Sequence, residues 1–368
     1  MNMMNEKTTL PAEWEQQWGV MLTWPHAKTD WQPYLDEITE TYIEMARAIT
    51  DYEDLLIVTP EPEKVKALLA EECSLERVHF LECATNDTWA RDHGFLTLND
   101  GTMLDFCFNG WGEKFEAGLD NDINRQIYPF LQEQYAKQGI ATNYQSHLDF
   151  VLEGGSIESD GKGTIFTTAD CLLAPHRNNM SKDQLEKELL SRLHAQRVLW
   201  INSKPMPGDD TDGHIDTMVR ICPDNTLFYN EDKTLEEQLK AFKTKEGTPY
   251  RLMALPLPDP IYAEEDGEKV MLPATYANFL IINGAVLLPT YGQPMNDMQA
   301  ADILQEVFPD RDIILIDSRS IIKQHGSIHC CTMQFPQIYF HPSFIADLIR
   351  NLLRNNINTE GPRYRGNI

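Results

Sequence analysis

The chain has 368 residues, of which 42% are hydrophobic and 10% aromatic, a composition typical of a folded globular protein. Its 57 acidic and 31 basic residues give a net charge of −26, which argues against nucleic acid and anionic membranes as partners. The same charge would attract a small cationic ligand, although it also serves solubility alone. No apolar run approaches the roughly 20 residues that cross a bilayer, and residues 1–7 lack the apolar core of a signal peptide. We therefore predict a cytoplasmic protein.

Helical and extended patterns alternate along the whole chain. Amphipathic runs predict helices at residues 33–49, 62–72, 122–138, 181–194, 235–245 and 298–308. Short apolar runs predict strands at residues 55–59, 95–98, 164–167, 197–201, 226–229, 279–282, 286–289 and 313–316. Asn283-Gly284 lies between two of these runs and predicts a hairpin turn. The mixture predicts an α/β protein built from repeated small units.

The densest group of reactive side chains is the segment 324–332, Gln-His-Gly-Ser-Ile-His-Cys-Cys-Thr. A thiol with an imidazole and carboxylates nearby is suited to nucleophilic catalysis. The alternatives are a buried structural cysteine or a zinc site formed by His325, His329, Cys330 and Cys331. Two adjacent cysteines cannot easily bind one ion, and the chain has no CxxC pair among its seven cysteines. We therefore expect no metal and no disulfide framework.

Three earlier segments carry groups that could assist such a thiol. In His214-Ile215-Asp216, a strand would place the imidazole and the carboxylate on one face, although a surface pair would fit the triplet as well. In the segment 89–92, Trp-Ala-Arg-Asp, Asp92 could face a cation, or the arginine and the aspartate could form a structural pair. Glu153 precedes two glycines, where the backbone can approach a ligand closely.

Together these motifs resemble the agmatine deiminase and bacterial peptidylarginine-deiminase-like family of guanidine-modifying enzymes. The matching segments are residues 11–15, 22–25, 86–92, 152–157, 212–216, 276–280 and 328–330. The resemblance implies the pentein fold, a five-bladed α/β propeller with pseudo-fivefold symmetry. It also implies one catalytic domain over residues 1–368, with a polar tail from about residue 355 that is flexible or packs on a neighbour.

The resemblance assigns roles to individual residues. Cys330 corresponds to the nucleophile, because it follows the Gly-Ser-Ile-His turn, and His214 corresponds to the general acid and base. Asp92 and Asp216 correspond to the carboxylates that bind the guanidinium, and Glu153 to the acid that orients the histidine. Cys331 is expected to be a packing residue. The expected pocket residues are Trp89, Asn109, Trp111 and Gly155.

The implied reaction is hydrolysis of a small guanidine, with agmatine as the expected substrate and N-carbamoylputrescine and ammonia as products. It proceeds through a covalent thiouronium on the cysteine and needs no cofactor. The alternatives are a peptidyl- or free-arginine deiminase, an amidinotransferase, or a non-catalytic binding module with the same fold. Residues 324–327, Gln-His-Gly-Ser, depart from the family pattern beside the nucleophile, so the choice of guanidine is open. For an enzyme of this size we expect a homodimer.

Overall fold

The computed structural model describes residues 8–265 and 267–339. The tail predicted from about residue 355 lies outside the described residues. The strands are β1 (Gln17–Thr23), β2 (Asp54–Thr59), β3 (Val78–Glu82), β4 (Leu96–Thr97), β5 (Thr102–Cys107), β6 (Asn143–Val151), β7 (Ile157–Ser159), β8 (Thr164–Thr168), β9 (Arg197–Ile201), β10 (Val219–Cys222), β11 (Thr226–Asn230), β12 (Arg251–Leu255), β13 (Tyr262–Glu265), β14 (Glu268–Met271), β15 (Leu280–Ile282), β16 (Ala285–Thr290), β17 (Asp312–Asp317) and β18 (Thr332–Pro336). The helices are α1 (Leu35–Thr50), α2 (Pro62–Leu69), α3 (Ala90–His93), α4 (Gly110–Glu113), α5 (Ile123–Lys137), α6 (Ala169–Leu172), α7 (Lys182–Arg192), α8 (Lys233–Ala241) and α9 (Pro294–Val307).

The same pattern of strand pairing and connection occurs in five sheets. In each sheet a first strand pairs antiparallel with a central strand, which pairs parallel with a third strand. At least one helix joins the central strand to the third, as a parallel pair requires. The five sheets have the strand orders β18-β1-β2-β3, β4-β5-β6, β7-β8-β9, β10-β11-β12 and β15-β16-β17, and β13-β14 is a separate hairpin. The mixed α/β class is therefore confirmed.

The first sheet joins the two ends of the described chain. In it, β18 pairs with β1, so that Val20 lies opposite Gln334 and Leu22 opposite Thr332. All seven residues of β1 are buried, and the burial of its apolar side chains holds the C-terminal strand against the N-terminal part of the fold. This pairing fixes the position of Cys330, which lies two residues before β18.

The helices pack against the sheets with their apolar faces. In α1, for example, Ile38, Tyr42, Met45 and Ile49 are buried in the core that also contains Leu55 of β2. Their spacing of three or four residues places them on one side of the helix. Within the described ranges, every helix is too short or too polar to span a lipid bilayer.

The predicted elements agree with the structure in type, and their ends differ by a few residues. Each of the six predicted helices overlaps one of the longer helices, and each of the eight predicted strands overlaps an observed strand. Helix α9 begins at Pro294, four residues before its predicted start, because proline fits the first turn of a helix. The predicted hairpin is confirmed, with Gly284 in the left-handed region at φ 73° between β15 and β16.

Candidate active site

Five side chains or backbone groups meet where the first strands of the five sheets begin. Each lies two to four residues before such a strand, so the repeated connection places them at equivalent positions. They are Asp92 before β4, Gly155 before β7, Asp216 before β10, Asn278 before β15 and Cys330 before β18. Asn278 was not among the predicted site residues, although the residues 276–280 contributed to the family resemblance. Its position before β15, which matches that of the other four, is the signal that could have identified it.

Cys330 is buried but reaches a cavity, with 7% of the residue exposed. Its Sγ donates to Asn278 Oδ1 at 3.3 Å and lies 4.0 Å from Asp216 Oδ2. Its backbone N–H also donates to Asn278 Oδ1, at 3.3 Å. Burial, together with the negative charges of Asp216 and Asp92, raises the pKa of the thiol well above its ordinary value. The thiol is therefore protonated at neutral pH when no cation is bound.

Asp92 is held by two donors and is not paired with its neighbour Arg91. The backbone N–H of Gly155 donates to Oδ1 at 3.0 Å, and Trp111 Nε1 donates to Oδ2 at 2.9 Å. Arg91 instead donates to the carbonyl of His329 at 3.4 Å through its side chain, and to that of Cys330 at 3.1 Å through its backbone N–H. The alternative of a structural Arg–Asp pair is therefore wrong, and Arg91 supports the cysteine segment.

Gly155 marks the point on which the polar groups converge. A Cβ atom built on this residue would lie 2.7 Å from His214 Nδ1, 2.9 Å from Asp92 Oδ1 and 3.1 Å from Asp216 Oδ2. A side chain at this position would collide with all three groups. Glycine is therefore required for an imidazole and two carboxylates to come together here.

The side chains of His214 and Asp216 both lie beside Gly155, but the two residues are not on a strand. Residues Ile215–Thr217 form a 3-10 turn, so the strand that would place both side chains on one face is not formed here. The turn arises because Thr217 Oγ1 donates to the His214 carbonyl at 2.8 Å, and the His214 N–H donates to Thr211 Oγ1 at 3.1 Å. These local bonds compete with strand pairing, and β10 begins only at Val219.

The protonation of His214 follows from its carboxylate neighbour. Its Nδ1 lies 3.6 Å from Asp92 Oδ1, and its buried Nε2 has no hydrogen-bond partner among the described residues. Burial lowers the pKa of His214, but the negative charge of Asp92, together with Cys171 and Glu153, outweighs it and raises the pKa well above the ordinary value. The ring is therefore an imidazolium at neutral pH, suited to donate a proton.

One carboxylate oxygen of Asp216 accepts a hydrogen bond, and the other has no hydrogen-bond partner among the described residues. His329 Nδ1 donates to Oδ2 at 2.7 Å, whereas buried Oδ1 has no partner in the described part of the chain. Burial would raise the pKa of Asp216, but the contact with His329, together with the charges of His214 and Arg220, lowers it below its ordinary value. Asp216 is therefore a carboxylate with a free acceptor inside the protein.

Glu153 lies beside His214 but bonds to another residue. Arg177 Nε donates to its two carboxylate oxygens at 3.0 and 3.2 Å, and Arg177 also donates to Asp212 Oδ2 at 2.7 Å. A Glu153 oxygen, the Cys171 sulfur and a His214 ring nitrogen lie within 4.8 Å of one another. The position is compatible with the predicted orienting role, which stays a prediction.

The cavity at Cys330 combines aromatic walls with an acidic rim. Its lining consists of Asp30, Asp87, Trp89, Asp92, Trp111, Phe115, Asp209, Asp210, Thr211, Thr217, Gln324, His325, Gly326 and Cys330. This set contains five aspartates and neither lysine nor arginine. Burial raises the pKa of Asp87 to about 6 and that of Asp210 to about 6. A cation entering the cavity would favour the ionised form of both carboxyl groups.

Two of the four predicted pocket residues, Trp89 and Trp111, line the cavity. Gly155 and Asn109 are not part of the lining, and the N–H of Gly155 donates to Asp92. Asn109 Oδ1 accepts from the Gly112 N–H at 2.9 Å, and its Nδ2 donates to the His176 carbonyl at 2.8 Å. Asn109 therefore shapes the turn that carries Trp111, and the substrate contacts of all four residues stay predictions.

The zinc alternative is not supported, because its four members point to different partners. His329 lies between two carboxylates, and His325 Nδ1 donates to the Gly208 carbonyl at 2.8 Å. Cys331 is fully buried in the core, as its predicted packing role requires. Two other groups in the described residues have donor atoms close enough for a metal, Glu153–Cys171–His214 and Glu13–Glu158–His329. In each, an arginine already pairs with the glutamates.

The sequence also matches a described family over most of its length. The model of the Porphyromonas-type peptidyl-arginine deiminase family matches residues 9–336. The chain belongs to this family. Among its relatives in this deiminase family, an agmatine deiminase from Stutzerimonas stutzeri is 30% identical over 365 residues, with 89% of this chain and 95% of the relative covered.

Solved structures show the same relationship. A putative arginine deiminase from Porphyromonas gingivalis is 42% identical, has a TM-score of 0.81 and covers 91% of this chain, with all of that structure matched. A cysteine-to-serine variant of agmatine deiminase from C. jejuni with substrate bound is 33% identical, with a TM-score of 0.79 and 92% and 100% of the two chains covered. The deiminase fold therefore extends over nearly all of this chain.

Proposed function

We propose that this enzyme hydrolyses agmatine to N-carbamoylputrescine and ammonia, with Cys330 as the covalent nucleophile. The observation that carries the proposal is the convergence of the Cys330 thiol, the carboxylates of Asp92 and Asp216, and the His214 imidazole beside Gly155. A guanidinium is planar and cationic, and two carboxylates can bind it with paired, charge-assisted hydrogen bonds. This binding would hold its central carbon next to the thiol.

The protonation states support a defined order of steps. In the free enzyme the Cys330 thiol is neutral and His214 is an imidazolium. The substrate's positive charge offsets Asp92 and Asp216, which lowers the pKa of the thiol, and the thiol proton passes to solvent water. The thiolate then forms a C–S bond to the guanidinium carbon. His214 protonates one terminal nitrogen of the tetrahedral adduct, the C–N bond breaks, and ammonia leaves.

The second half of the reaction uses the neutral imidazole left by the first. The thiouronium on Cys330 is attacked by water, whose proton passes to His214. The hydroxyl proton of the resulting tetrahedral adduct passes to the Cys330 sulfur as the C–S bond breaks, so that the ureido product leaves and the thiol is restored. Each group thus returns to its starting state without a metal or an organic cofactor.

The cavity lining favours a substrate without a negative charge at its far end. Among the described residues, five aspartates line the cavity, and His325 is the one basic side chain there. Agmatine ends in an ammonium group, whereas the α-carboxylate of free arginine would be repelled by this lining. The names of several relatives agree with agmatine. Free or peptidyl arginine is the second candidate, because the relative at 42% identity is described as a putative arginine deiminase.

We further infer that the five repeated sheets form the five blades of a pentein propeller around one catalytic axis. The supporting observations are the repeated strand order and the five site groups at equivalent positions before the first strands. On this view the chain is one catalytic domain. The homodimer stays a prediction, to be checked by sedimentation of the purified protein.

The test is ammonia release from agmatine, free arginine and a blocked arginine peptide. We expect agmatine to be preferred, and Cys330→Ala to reduce its turnover by at least about 1,000-fold. Cys331→Ala is the matched control and should retain turnover. Loss of activity in Cys331→Ala but not in Cys330→Ala would contradict the nucleophile assignment. Release from arginine alone would favour the second candidate, transfer of the amidino group to an added amine would indicate an amidinotransferase, and no release from any guanidine would favour a binding module.

A further inference from the structure

His329, the residue before the nucleophile, bridges the candidate active site and a second group of buried charges. Its Nδ1 lies 2.7 Å from Asp216 Oδ2, and its Nε2 lies 2.7 Å from Glu13 Oε2. The residue is 1% exposed, and its contact with Asp216 is buried, whereas its contact with Glu13 is partly buried. Glu13 comes from the segment before β1, and Asp216 comes from the turn before β10. One imidazole therefore spans two distant parts of the chain.

Both ring nitrogens of His329 face carboxylate oxygens. Carboxylates can only accept hydrogen bonds when ionised. Burial would raise the pKa of Glu13, but the positive charge of Arg220 and the contact with His329 lower it strongly, and the pKa of Asp216 is also lowered. The ring is thus held between two acceptors and has no freedom to exchange its partners.

The backbone on both sides of this ring is also fixed. The His329 N–H donates to the Asn278 carbonyl at 3.2 Å, and the His329 carbonyl accepts from Arg91 Nε at 3.4 Å. A ring held at both nitrogens and at its own backbone cannot turn away from Asp216. The Asp216 carboxylate is therefore fixed in rotation, with Oδ2 committed and unpartnered Oδ1 left for a ligand.

We propose that His329 is a positioning residue, which fixes the orientation of the Asp216 carboxylate toward the substrate's guanidinium. The proposal rests on the proposed function and adds a residue to it. His329 does not contact the reacting atoms in this scheme. It acts through Asp216, and Glu13 in turn fixes His329 from the other side.

Two substitutions separate this role from a purely structural one. The amide nitrogen of asparagine takes the place of Nδ1 of histidine, whereas that of glutamine takes the place of Nε2. His329→Asn therefore keeps the donor to Asp216, and His329→Gln keeps the donor to Glu13. We expect kcat/KM for agmatine to fall by about 10-fold or less in His329→Asn and by about 100-fold or more in His329→Gln, since a hydrogen bond to a charged group is lost. Similar melting temperatures for the two variants would show that folding does not account for the difference.

A third variant serves as a control and covers a failure of either variant to fold. In Glu13→Gln the amide oxygen still accepts from Nε2, so Asp216 should stay oriented while Arg220 loses one ion pair. We expect a lower melting temperature with kcat/KM within about 10-fold of the wild type. An equal or smaller loss in His329→Gln than in His329→Asn would overturn the proposal, as would a loss of more than about 100-fold in Glu13→Gln.

The outcome can be told apart from a failure of the proposed function. If the wild type releases no ammonia from any guanidine, the function is wrong, and crystal structures of the two His329 variants then decide the positioning role. An Asp216 carboxylate that rotates in His329→Gln and keeps its position in His329→Asn supports it. A carboxylate unchanged in both contradicts it.

Discussion

Two groups of buried charges meet at His329 and differ in how completely they are paired. On one side, Arg220 lies between Glu13 and Glu158 at 2.7 and 2.6 Å, over the ring of Phe279 at 4.5 Å. All four oxygens of these glutamates accept hydrogen bonds. On the other side, Asp216 Oδ1 and His214 Nε2 have no partner among the described residues.

This difference explains what each group does. In the first, the chain supplies its own guanidinium, and the charges are permanently balanced. In the second, Asp92 and Asp216 form a similar pair of carboxylates, for which the described residues supply no guanidinium. Buried charges are costly unless they are paired. We infer that the first group stabilises the fold. The second group has charges and hydrogen-bonding atoms that gain their partners when a cationic substrate binds.

The largest expected effect is a loss of activity when Asp216, in the incompletely paired group, is substituted. Asp216→Asn removes one of the two charges that bind the guanidinium, but its amide oxygen still accepts from His329. We expect kcat/KM for agmatine to fall at least about 100-fold, because hydrogen bonds to charged groups contribute about 1.5–3 kcal/mol each. Steady-state kinetics measure the effect, and Asp149→Asn, at an exposed ion pair, is the control. A loss of less than about threefold would contradict the role of Asp216.

The next largest effect is a loss of stability when Arg220, in the fully paired group, is substituted. Arg220→Met leaves Glu13 and Glu158 buried without their common partner, which should lower the free energy of unfolding by about 3–5 kcal/mol. Urea denaturation measures this loss. Arg192→Met is the control, because Arg192 pairs with the more exposed Asp149 and Glu188 and should cost about 1 kcal/mol or less. Equal losses in the two variants would mean that the buried group carries no special stability.

The smallest effect is a shift of the pH profile. The raised pKa of Cys330 moves the rising limb to higher pH, because the thiolate is the attacking form. The raised pKa of His214 moves the falling limb in the same direction, because the imidazolium is the proton donor. We expect kcat/KM for agmatine to rise between about pH 7 and pH 9, and the rising limb to move to lower pH in Asp216→Asn. A maximum below about pH 7 would show that the thiol is already ionised in the free enzyme.

The sequence predicted the elements and most of the site, for reasons that particular residues make clear. Hydrophobic periodicity located the longer helices, and Asn283-Gly284 located a hairpin, because these signals are local. The partner of Cys330 was missed, since Asn278 lies 52 residues away and bonds to it only once β15 and β18 are in place. The contact between Glu13 and His329 joins residues 316 positions apart. His214 and Asp216 do face one place, as predicted, but a turn rather than a strand brings them there.

The most direct test of the central claim is to trap the intermediate. Wild-type enzyme mixed with agmatine, quenched in acid during turnover and digested, should yield a peptide that carries agmatine less ammonia on Cys330. Mass spectrometry would locate the adduct, and it should be absent from Cys330→Ala. Turnover of agmatine with no adduct on any cysteine, or with the adduct on Cys331, would contradict covalent catalysis by Cys330.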